Sequence, residues 1–68
     1  MNEEALNSTV RKFLKKVGIT SQREIEKAVR EAVAGGRLKG NESLLAKATI
    51  KIDGVGLAFD VEGDIELE

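Results

Sequence analysis

Leu44-Leu45-Ala46-Lys47-Ala48-Thr49-Ile50-Lys51-Ile52 is the stretch in which the chain adopts a side-chain rhythm of two. Leu44, Ala46, Ala48, Ile50 and Ile52 fall on one side of an extended backbone, and Lys47, Thr49 and Lys51 fall on the other. The rhythm resumes after Asp53-Gly54-Val55-Gly56. There Leu57, Phe59, Val61, Ile65 and Leu67 alternate with Ala58, Asp60, Glu62, Asp64 and Glu66. Two half-buried strands, over about 44–53 and 56–67, are predicted to form a hairpin with one apolar and one charged face. Its turn is either two residues at Asp53-Gly54 or four at Asp53 to Gly56, and both keep the same residues on the same face. Gly63 invites a bulge or bend.

Upstream the rhythm is helical. Leu6, Val10, Phe13, Leu14 and Val17 recur at spacings of three and four, predicting a helix over about 3–17, capped by Asn2 with Glu3 and Glu4 in its first turn. Gly18 reads as its left-handed stop, with Lys15 and Lys16 in the last turn. Ser21 followed by Glu24 has the form of a capping box, which predicts a second helix over about 21–34 with Ile25, Ala28, Val29, Ala32 and Val33 inward. So short a connection would make the helices neighbours, as a corner or an antiparallel pair. Gly35-Gly36 ends the helical pattern, and Gly35 to Ser43 reads as a loop with room for a short extra strand at Arg37–Lys39. The expected fold is α+β, two amphipathic helices followed by a β-hairpin, in one domain over residues 1–68.

Composition narrows the function. The 68 residues contain no His, Cys or Tyr, which removes imidazole acid-base chemistry, thiolates, disulfides and the usual zinc ligands. No serine or threonine has an imidazole to activate it, and a core this small has little room for a catalytic pocket. The expectation is a protein that is not an enzyme and carries no cofactor or metal. Asp60, Glu62, Asp64 and Glu66 at spacing two follow no calcium-loop pattern and read as a charged outward face. No apolar run has the roughly 18 residues needed to cross a bilayer, so no membrane partner and a cytoplasmic setting are expected.

The net charge of −1 hides a division at Gly40: nine Lys or Arg against five Glu before it give +4, and two Lys against seven acids after it give −5. Arg11, Lys12, Lys15, Lys16, Arg23, Lys27 and Arg30 are the candidates for a phosphate-binding surface. With two helices and a hairpin they resemble part of a winged helix, although a third helix is lacking and the hairpin is acidic where a wing would meet phosphate. The pairs Glu26–Arg30 and Lys27–Glu31, each four apart, favour an ordinary solvated face. A nucleic-acid-binding regulator is therefore the alternative reading. Gly35-Gly36-Arg37-Leu38-Lys39-Gly40 has glycines and cations suited to an anion but lacks the ending of a phosphate loop.

The preferred reading is a protein-interaction or self-associating module. Phe13 and Phe59 are the only aromatics, and a two-stranded ribbon leaves two edges unpaired. Two arrangements stay open: a homodimer through the hairpin edge, or a monomer whose helices cover one twisted hairpin. Val55, Leu57, Phe59 and Val61 are the candidate contact residues for a second copy or another protein partner. Val17 to Ala32, together with Gly36-Arg37-Leu38-Lys39-Gly40 and Gly63-Asp64-Ile65-Glu66-Leu67-Glu68, resembles a family of short bacterial, mainly proteobacterial, proteins of no assigned function. The resemblance covers nearly the whole chain and implies an independent domain, but no catalytic residue, cofactor or partner.

Overall fold

A computed structural model describes all of residues 1–68. Helix α1 runs without interruption over Glu3–Ala34, strand β1 over Ser43–Ile52, a single 3-10 turn over Asp53–Val55, and strand β2 over Leu57–Glu66. The fold class is α+β, as the sequence predicts, with one helix where two were expected.

The physical reason lies between Val17 and Ser21. Gly18 lies inside the helix and is absent from the three glycines with positive φ, so the left-handed stop does not form. A lone glycine costs a helix about 1 kcal/mol relative to alanine, too little to break a run rich in Ala, Leu, Lys, Arg and Glu and free of proline. The Ser21–Glu24 pair caps only where preceding carbonyls are missing; here the previous turn supplies them, and Ser21 makes no capping bond. Lys15 and Lys16 consequently sit mid-helix, and α1 has no basic residue in its last turn. At about 1.5 Å per residue the helix is roughly 48 Å long.

Both true ends follow their local chemistry. Asn2 Oδ1 accepts the Ala5 N–H at 3.1 Å, and the Asn2 carbonyl accepts the Leu6 N–H at 3.0 Å. Glu3 and Glu4 occupy the first turn, where the helix dipole favours negative charge. At the other end Gly36 takes φ +81°, the Arg37 N–H donates to the Ala32 carbonyl (2.9 Å) and the Gly36 N–H to Val33 (3.1 Å). These are the two bonds of a Schellman ending, which needs a residue tolerant of positive φ at Gly36.

The chain divides into two units, Met1–Arg37 and Leu38–Glu68. In the second, β1 and β2 form a two-stranded antiparallel sheet. Arg37–Lys39 adds no strand to it: the Arg37 N–H closes the helix end on the Ala32 carbonyl, and the Lys39 N–H donates to the Glu42 carboxylate. The register runs from Ser43 opposite Glu66 to Ile52 opposite Leu57, selecting the four-residue turn, with Gly56 left-handed at φ +62°. Gly63 pairs with Ala46 in an unbroken ladder, so the bulge invited there does not occur. No residue of the chain is buried.

Candidate interaction surface

The register assembles two faces. Leu44, Ala46, Ala48, Ile50 and Ile52 lie across from Ile65, Gly63, Val61, Phe59 and Leu57, making one side of the sheet apolar throughout. The other side pairs Ser43 with Glu66, Leu45 with Asp64, Lys47 with Glu62, Thr49 with Asp60 and Lys51 with Ala58. Thr49 Oγ1 donates to Asp60 Oδ1 at 2.7 Å, and Ser43 Oγ donates to Glu66 Oε1 at 3.0 Å. These cross-strand bonds tie the polar side together and fix the register independently of the turn.

Exposure on the apolar side is graded. Leu44, Ala46 and Ile65 are half-buried at the open end of the hairpin, and Ile50 is half-buried opposite Phe59, whereas Ala48, Ile52, Leu57, Phe59 and Val61 are exposed. Phe59 is 46% exposed and Val61 55%, high for large apolar side chains on one face. Of the four candidate contact residues, Leu57, Phe59 and Val61 share this face, while Val55 stands apart in the 3-10 turn, 73% exposed. Leu45 was missed by the pattern: it faces the polar side and is 71% exposed. The available signal was its parity, opposite to that of its apolar neighbours.

Glu42 is a second residue that alternation does not single out. Its carboxylate accepts the N–H groups of Lys39 (2.8 Å), Gly40 (2.9 Å) and Asn41 (3.1 Å), a concave run of donors with Gly40 at φ +100°. The bond from Lys39 does most to hold the acid below its ordinary value of 4.5; slight desolvation opposes it, and the N–H groups of Gly40, Glu42 and Asn41 add to it. The segment that looked suited to an anion thus holds one supplied by its own chain.

The basic candidates all lie on α1. Because the helix is continuous, Lys12, Lys16, Arg23, Lys27 and Arg30, at spacings of four, seven, four and three, line one face, with Arg11 and Lys15 beside it. Arg30 approaches Glu26 at 3.8 Å, the only ion pair in the molecule, and Gln22 donates to Glu26 at 3.2 Å. The winged-helix likeness fails, since no turn separates two helices. Depressions on α1, one lined by Asn7, Ser8, Arg11, Lys12 and Lys15, are open surface grooves. No group of three or more His, Cys, Asp or Glu side chains gathers in metal-binding geometry, and no helix is long and apolar enough to cross a membrane.

These elements define a small α+β protein, one long amphipathic helix followed by an antiparallel hairpin with an apolar face. Its sequence matches, over residues 1–68, a family of unknown function, DUF6494, and the chain belongs to that family. The resemblance to a family without assigned function is thereby borne out. No curated protein and no solved structure matches the chain.

Proposed function

We infer that this protein is a non-enzymatic interaction module that associates with itself through its hairpin. The observation that carries this reading is a two-stranded sheet with an apolar side, no buried residue and both edges unpaired. Such a ribbon is at best marginally stable alone, and unpaired backbone donors and acceptors beside apolar side chains are a template for a further strand. The absence of His, Cys and Tyr supports the non-catalytic part. A second reading rests on the row of Lys12, Lys16, Arg23, Lys27 and Arg30 along one helix face, which suits a polyanion.

Sedimentation velocity over a wide concentration range tests both. The mass should rise from 7.4 kDa toward twice that value. Ile50→Asp, which places a charge on the apolar face beside the free edge of β1, should weaken association by about tenfold or more. A mass that stays monomeric at every concentration overturns self-association. Adding mixed-sequence DNA at low salt should leave sedimentation unchanged; co-sedimentation that fades steeply with salt would favour the second reading.

A further inference from the structure

Self-association leaves a choice between two hairpin edges, and the phase of the hydrogen-bond ladder decides it. The Leu67 N–H donates to the Glu42 carbonyl at 3.0 Å, marking Glu42 and Leu67 as a hydrogen-bonded pair. Antiparallel ladders alternate bonded and non-bonded pairs, so Leu44–Ile65, Ala46–Gly63, Ala48–Val61, Ile50–Phe59 and Ile52–Leu57 are bonded too. The residues between them turn their N–H and C=O groups outward. On the free edge of β1 these are Ser43, Leu45, Lys47, Thr49 and Lys51; on the free edge of β2 they are Ala58, Asp60, Glu62, Asp64 and Glu66.

The two edges differ in charge. Four carboxylates stand at successive outward positions of β2, so a second β2 strand docking there would set acid against acid, the arrangement that natural edges use to refuse partners. Strand β1 carries no acid, glycine or proline; its outward set includes the well-exposed Leu45, and Lys47 already faces Glu62 across the hairpin. A β1 strand laid on a foreign β2 would match charges but would leave an open edge at each end and extend without closing.

Resting on the self-association read above, we propose that β1 of one copy pairs antiparallel with β1 of a second about a two-fold axis at Ala48. The sheet order becomes β2-β1-β1-β2, with the acidic strands outermost. The outward groups of β1 belong to alternate residues, so the axis must pass through a residue rather than between two. An axis at Lys47 opposes two lysines, and one at Thr49 opposes Lys47 and Lys51. An axis at Ala46 or Ile50 leaves much of the strand unpaired. At Ala48 the whole of Leu44 to Ile52 is matched: Lys47 faces the partner's Thr49, Lys51 the partner's Leu45, Ala46 the partner's Ile50, and Leu44 the partner's Ile52. Both apolar faces then lie on one side of a single sheet.

The chain lacks cysteine, so an introduced one reports cleanly. Ala48 is in a non-bonded pair with its counterpart, where Cα atoms stand about 4.5 Å apart, within the range a disulfide spans. Under mild oxidation Ala48→Cys should form a covalent dimer roughly ten times faster than Val55→Cys at the turn tip, which reports random collision. Val61→Cys, the equivalent position on β2, should match the collision control. If Ala48→Cys is no faster than Val55→Cys, or if Val61→Cys is fastest, the edge assignment is overturned. Sedimentation of the unmodified protein separates the two levels: a dimer mass with slow Ala48→Cys crosslinking defeats only the edge, and a monomer mass defeats the association as well.

Discussion

At the scale of single residues, Glu42 shows how a short loop can satisfy itself. Three consecutive N–H groups converge on its carboxylate, so the ionised form is favoured over the protonated one. A carboxyl whose folded pKa is lowered adds stability above its unfolded value and loses it as the pH falls through the folded one. Glu42→Gln should therefore lower the thermal midpoint at pH 7, because an amide offers one acceptor oxygen in place of two. The gap between variant and wild type should close as the pH is taken below 4.5 and through the lower folded value; melting curves at a series of pH values would measure it. None of this is legible in the alternating pattern, which begins only at Leu44. It depends on how Lys39, Gly40 and Asn41 curve in space.

Among the elements, α1 carries the main departure from the sequence reading. Gly18 and Gly36 have similar local signatures, each a glycine after an amphipathic run. Gly36 is reinforced by Gly35, and beyond it no apolar stripe continues; it takes the left-handed form. Beyond Gly18 the stripe resumes in phase, since Leu14 and Ile25, like Val17 and Ala28, are eleven residues apart, about three whole turns. A break would have freed that phase, so its continuity was the legible sign of one helix, outweighed by the capping signature at Ser21. Nothing lies within 4 Å of a Cβ placed on Gly18, so Gly18→Ala should stabilise α1 by about 1 kcal/mol in thermal melts followed by helical circular dichroism. Destabilisation would mean a left-handed Gly18 and two helices. The hairpin was more readable, because a period of two assigns faces whatever the turn. The turn length was not, as both candidates preserve that parity, and the polar bonds of Thr49 and Ser43 accompany the longer one.

For the molecule as a whole, charge follows the structural units. Met1–Arg37 holds eight cations against five acids, and Leu38–Glu68 three cations against seven acids, giving +3 and −4. Helix and hairpin each expose an apolar side that neither can bury within itself, so stability should be linked to association. The thermal midpoint should climb with protein concentration, by mass action on a folded dimer, and calorimetry over a range of loadings would record it. A midpoint indifferent to concentration would mean that each copy is complete alone. The row of carboxylates on β2 bears on what crowding such molecules together does. On the β1 pairing proposed above, one margin is adhesive and the other repellent, which would give each hairpin a valence of one and leave a pair already saturated. Concentrated solutions should then stay fluid instead of threading into fibres.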